Sequence, residues 1–192
     1  MIHAFANEAC AFLRCIPEVR DCHLYGSVRN GTYDEYSDID IEVDVSGVDN
    51  GVFATKLPDI LSEKFEVIFF DYAPSLAPEK YIISVAMSPE NPFRMVDICC
   101  VAKPHCATVT RQDLASRNNQ YDHTLKLFVA NLKHFLRESD CYADTLKMYS
   151  RVFRNDAVAH DEEYMLNAVY RWLQDNAEPR HEIFVSLFEN YL

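Results

Sequence analysis

Residues 38–45 read Asp-Ile-Asp-Ile-Glu-Val-Asp-Val, a strict alternation of acid and β-branched apolar residue. A period of two belongs to a β-strand. It sets Ile39, Ile41, Val43 and Val45 on one face and Asp38, Asp40, Glu42 and Asp44 on the other. The strand must therefore lie in a sheet with one packed face and one polar face. Asp38 and Asp40 stand roughly 7 Å apart at Cα. Two carboxylates held that close repel unless a cation joins them. Hard dications such as Mg2+ favour oxygen ligands of this kind.

Upstream, Leu24-Tyr25 runs into Gly26-Ser27, and a polar stretch rich in turn residues leads to Ser37. A Gly-Ser turn lets backbone N–H groups approach a phosphate closely. A phosphate cradle beside paired carboxylates points to nucleotide chemistry. A third acid, Asp97, sits alone in the apolar run Phe93-Arg-Met-Val-Asp-Ile-Cys-Cys-Val101. An isolated buried carboxylate is costly. If its strand neighbours 38–45, Asp97 comes within about 5 Å of the pair across the ladder.

Composition divides the chain. All four glycines lie at or before Gly51, and from His105 to Glu178 there is neither Gly nor Pro. This predicts a mixed α/β half over 1–104 and a helical half over 105–192. In the first half, helices are expected at 2–16 and 52–64, the latter with Pro58 in its first turn. Strands are expected at 22–25, 38–45, 65–70 and 93–101, and residues 80–87 read as either strand or short helix. In the second half, apolar residues from Leu114 to Phe135 predict one helix of roughly seven turns. Further helices are expected at 141–155, 161–176 and 180–191, burying their apolar sides as a bundle.

The seven cysteines show no repeating spacing, and the N-terminus lacks a basic flank and a long apolar core. The expectation is reduced thiols in a cytoplasmic protein without a signal peptide. Cys99 and Cys100 point to opposite faces of a strand. They read as buried residues rather than as a zinc site with His105-Cys106. No apolar run approaches the ~20 residues that would span a membrane. The net charge is −12, of which residues 1–104 carry −9. That acidity opposes nucleic-acid backbones and suits a small cationic partner.

Gly26-Ser27, ten intervening residues, Asp38-Ile-Asp40-Ile and a later apolar-Asp97-apolar resemble the signature of the DNA polymerase beta-type nucleotidyltransferase superfamily. The small size and helical half look most like the antibiotic nucleotidyltransferases acting on aminoglycosides or lincosamides. The resemblance implies an α+β fold, with a mixed, mostly antiparallel sheet and a C-terminal helical bundle. It implies Mg2+-dependent transfer of a nucleoside monophosphate, AMP from ATP in the first instance, to a hydroxyl of a small acceptor. Gly26, Ser27 and Arg29 would contact the triphosphate, and Ser37 would join them or orient the loop. Asp38, Asp40 and Asp97 would hold two Mg2+ ions, with Asp97 also serving as general base. Relatives often read Gly-Ser-Val-Ala-Arg-Gly, whereas here Arg29 stands one place early, before Asn30-Gly31. Glu42 would support the site or be solvated, and Asp44 would lie on the surface. Among Asp122, Glu138, Asp140 and Asp144, solvated helix positions are expected, and none is singled out as an acceptor contact. Two alternatives stand beside this reading. One is a catalytically silent binding protein or antitoxin on the same fold. The other rests on Arg154-Asn-Asp-Ala-Val-Ala-His160, which resembles the motif of the HEPN ribonucleases.

Overall fold

A computed structural model describes residues 2–73, 80–88, 90–104, 108–154 and 160–192. They fall into two compact units: Met1–Ser88 with Arg94–Asn118, and Pro89–Phe93 with Asn119–Leu192.

The first unit is a five-stranded sheet with helices. Its elements run α1 (Ile2–Arg14), β1 (Asp21–Tyr25), α2 (Gly26–Asn30), β2 (Ile39–Asp44), α3 (Asn50–Ser62), β3 (Phe69–Tyr72), β4 (Lys80–Ala86), β5 (Val96–Val101) and α4 (Arg111–Ala115). The sheet order is β1-β2-β5-β4-β3. Only β2 and β5 pair in parallel; the other pairs are antiparallel. The alternation in β2 has the consequence expected of it. Ile39, Ile41 and Val43 are fully buried, while the acids between them keep some exposure. Those apolar residues join Ala6, Leu13, Leu57 and Leu61 in one core. Helix α1 packs on β1 and β2, and α3 packs on β4 and β5. Residues 80–87 resolve as strand β4. Cys99 and Cys100 are buried within β5; His105 and Cys106 lie outside the described residues.

Several boundaries differ from expectation. Helix α3 starts earlier, because Asp49 caps it by accepting from the Val52 N–H at 2.8 Å. Pro58 therefore lies inside the helix, not in its first turn. Proline offers no N–H to the carbonyl four residues back, that of Ala54. The Tyr72 hydroxyl donates to this carbonyl at 3.3 Å. Burial pushes the Tyr72 phenol up to about 12, so it remains a donor at neutral pH. Tyr72→Phe should leave the carbonyl without this donor and cost about 1–2 kcal/mol, read as a lower urea midpoint at unchanged slope. An unchanged midpoint would show that Tyr72 does not compensate for Pro58.

The strand expected at 65–70 is β3, starting at Phe69. Its ladder is prolonged only to Ile68, whose N–H donates to the Ala86 carbonyl at 2.9 Å. Phe65 instead turns to the aromatic rings of Phe5 and Phe12, at 5.8 and 5.6 Å. The strand expected at 93–101 starts at Val96. Phe93 packs in the second unit, against Tyr191 at 5.0 Å and Phe188 at 6.2 Å.

The second unit contains α5 (Gln120–Leu136), α6 (Tyr142–Phe153), α7 (Glu162–Asp175), α8 (Pro179–Ser186) and a 3-10 turn at Leu187–Asn190. The single long helix expected from Leu114 onward is two, α4 and α5. Asn119 ends the run by capping α5 through the Asp122 N–H at 2.7 Å. Asn118 exchanges two hydrogen bonds with the Tyr72 backbone. Both residues prefer such side chain-to-backbone bonds to helix interiors. Leu125, Phe128, Leu132, Leu166, Val169, Leu173 and Phe188 form the interior of this unit. No helix among the described residues is long and apolar enough to cross a membrane.

Candidate active site

The register fixes which acids meet. Tyr25 on β1 is the Cα partner of Asp40, and Asp40 is the Cα partner of Asp97. Cross-strand partners share one face of a sheet, so these three side chains stand in a row. Further along, Asp97 partners Ser84, and Ser84 partners Asp71 on β3. Both are fully or nearly fully buried. Burial, followed by the negative charge of Asp40, pushes the Tyr25 phenol up. The row is thus electronegative where Asp40 and Asp97 lie.

Gly26 follows β1 directly and opens the short helix α2. Its φ is +68°, a conformation that favours glycine. A Cβ at Gly26 would overlap Asp40 Oδ2 and lie 2.9 Å from its Cγ. The absent side chain is the space that the Asp40 carboxylate occupies. The structure therefore brings Gly26, Asp40 and Asp97 together. Ser27 is half-buried in α2, one residue beyond Gly26. Arg29 lies in the last turn of α2 with an exposed side chain.

Asp38 is half-buried, one residue before β2, where the Ile39 N–H donates to the Met95 carbonyl at 2.9 Å. Ser37 is buried, and its hydroxyl donates to Asp34 Oδ1 at 2.7 Å while accepting from the Asp34 N–H at 3.0 Å. These bonds close the loop that leads into Asp38.

The remaining acids of β2 have other partners. Glu42 lies 3.6 Å from Lys80 Nζ and 3.9 Å from His23 Nε2. Asp44 accepts from the Ser46 N–H at 2.7 Å, and hydrogen bonds from Ser46 hold its carboxyl below the usual range. Among the described residues, no group of three His, Cys, Asp or Glu side chains converges closely enough to hold a metal ion. The donors at Asp40 and Asp97 are all carboxylate oxygens, the chemistry a hard dication takes.

In the helical unit, Asp122 is not solvated as expected. It is 2% exposed, with Oδ1 3.1 Å from His181 Nε2 in a contact that lacks hydrogen-bond alignment. Its Oδ2 accepts from the Asn119 side chain at 2.7 Å. Asp122 thus belongs to the cap of α5, and its early-helix position beside Asn119 was the available signal. Asp144 pairs with Lys147 at 2.8 Å, and Glu138 and Asp140 are exposed. Arg154 is exposed at the end of α6 with φ 49°. His160 stacks on Tyr164 at 4.1 Å. Residues 155–159 between them lie outside the described residues.

Comparison with known proteins adds to this geometry. No curated protein matches the chain significantly. Among solved structures, the non-canonical poly(A) polymerase complex GLD-2–GLD-3 is 17% identical, with TM-score 0.39, covering 99% of this chain and 57% of that one. The polymerase core of the RNA surveillance complex TRAMP is 14% identical, with TM-score 0.38, covering 97% and 56%. The Cid1 poly(U) polymerase is 15% identical, with TM-score 0.37, covering 92% and 66%. The chain thus spans little more than half the length of the first two. A family model described as "Nucleotidyltransferase domain" matches residues 6–94, the stretch that holds Gly26, Ser27, Asp38 and Asp40. The matched stretch is just under half of the chain's length, and over it the chain is similar to that family.

Proposed function

We propose that this chain transfers a nucleoside monophosphate, AMP from ATP in the first instance, to a hydroxyl of a small acceptor with release of pyrophosphate. The observation that carries this reading is the row of Asp40 and Asp97 in register, with Gly26 packed against the Asp40 carboxylate. Gly26 and the Ser27 N–H and hydroxyl would hold the β- and γ-phosphates, and Arg29, exposed in α2, would contact them from the solvent side. Asp38, Asp40 and Asp97 would hold Mg2+, which when bound neutralises the triphosphate and acidifies the acceptor hydroxyl. Asp97 accepts the hydroxyl proton. The acceptor oxygen then bonds to the α-phosphorus as the bond from that phosphorus to the bridging oxygen breaks, and pyrophosphate leaves with the electron pair.

The net charge of −12 favours a cationic acceptor over a polyanion. Aminoglycosides and lincosamides belong in the acceptor screen on that ground. RNA 3′ ends belong there too, because the solved structures named above include a poly(A) and a poly(U) polymerase. The test follows pyrophosphate release from ATP against this panel. Turnover is expected with Mg2+, loss of turnover with excess chelator, and recovery on adding Mg2+ back. A chain that neither binds nor consumes any nucleoside triphosphate with Mg2+ would be the silent alternative.

A further inference from the structure

Helix α7 presents one face to the bundle interior and another to a cavity. Met165, Leu166, Val169 and Leu173 are buried in the bundle. Tyr164, Asn167, Arg171, Trp172 and Asp175 repeat at helical spacing on another side and, with Phe153 of α6, line a cavity of about 340 Å³. Large rings are left in water here: Tyr164 is 51% exposed and Phe153 37%. Their neighbours hold them in place. His160 stacks on Tyr164 at 4.1 Å, Tyr149 lies 4.8 Å from Phe153, and Tyr121 lies 5.8 Å from Trp172. A cavity with aromatic walls already in position loses little freedom on binding a flat ring.

The polar lining narrows the occupant. Arg171 offers donors, Asp175 offers acceptors and the Asn167 amide offers both. A purine presents both kinds of edge, along with two faces that stack on aromatic side chains. The volume is at the small end of ligand cavities, suited to one base rather than to a larger partner. The acidic charge of the chain opposes a nucleic-acid strand but not an uncharged nucleoside. We infer that the α6–α7 cavity is a second ligand site of this protein, taking the purine base of a small nucleoside between Tyr164 and Trp172.

Trp172 is the only tryptophan in the chain, so its fluorescence reports on this cavity alone. The full chain is titrated with adenosine and guanosine without Mg2+. Saturable quenching is expected. Tyr164→Ala should weaken it about tenfold, the effect of one lost stacking contact, and Tyr164→Phe should retain it. Circular dichroism checks that both variants fold, which the exposure of Tyr164 favours. Pyrophosphate release by Tyr164→Ala should stay within about twofold of the parent. Absence of saturable quenching overturns the site, as does equal quenching in Tyr164→Ala. A rise in the KM for ATP that tracks the lost quenching would make the cavity part of the transfer reaction and overturn it as a second site. An adenosine oligonucleotide binding more tightly than adenosine would overturn the small-molecule occupant.

Discussion

Asp97→Asn is expected to lower kcat for pyrophosphate release by about 10²–10⁴ while leaving the thermal midpoint within a few degrees. The substitution keeps the size of the side chain and removes its ability to take a proton. Asp97 is half-buried in β5, directly beside Asp40, so the change falls within the carboxylate row. Glu42→Gln is the matched control. Glu42 lies on the same face of β2, one pair of residues further along. Lys80 at 3.6 Å already balances its charge, and His23 lies 3.9 Å away. Partly exposed pairs of this kind contribute little, and neither stability nor turnover should move by more than about 1 kcal/mol. If Glu42→Gln is as damaging as Asp97→Asn, the chemistry depends on the summed acidity of the face and not on the Asp40–Asp97 row.

What the sequence revealed, and what it hid, follows from the range of the interactions involved. The alternation in 38–45 is local, and it correctly divided β2 into a buried and an acidic face. Asp97 stood out because an acid in an apolar strand needs a reason. That Asp97 lies beside Asp40 depends on β5 pairing in parallel with β2, a contact between residues 57 positions apart. Nothing local encodes that pairing. Helix boundaries failed where a side chain bonded to backbone: Asp49 moved the start of α3, and Asn118 and Asn119 cut a long apolar period in two. Phe65 and Phe93 read as strand residues because an apolar run looks the same whether it pairs or packs. Their aromatic partners decided otherwise. Asp122 looked like one helix acid among four until its contact with His181 showed it to be buried.

Gly26→Ala should be the more disruptive of two glycine substitutions that pose the same backbone problem. Gly26 opens α2 and Gly31 follows it, with φ of +68° and +71°. An alanine at either position pays about 1–2 kcal/mol for a left-handed conformation. At Gly31 a new Cβ meets nothing within 4 Å, so that cost should be the whole effect, with turnover kept. At Gly26 the methyl overlaps the Asp40 carboxylate. Either Asp40 swings away from Asp97 or the chain after β1 shifts, and in both cases the turn proposed to hold phosphate and the carboxylates lose their alignment. A displacement of about 1 Å at reacting groups commonly costs on the order of 10²-fold. Gly26→Ala is therefore expected to lose at least about 10²-fold in kcat/KM and about 2–3 kcal/mol in stability, against about 1–2 kcal/mol and near-parental turnover for Gly31→Ala. Urea unfolding and pyrophosphate release on the two purified variants make the comparison. Equal losses of activity would mean that the Gly26–Asp40 contact does not set the geometry of the site.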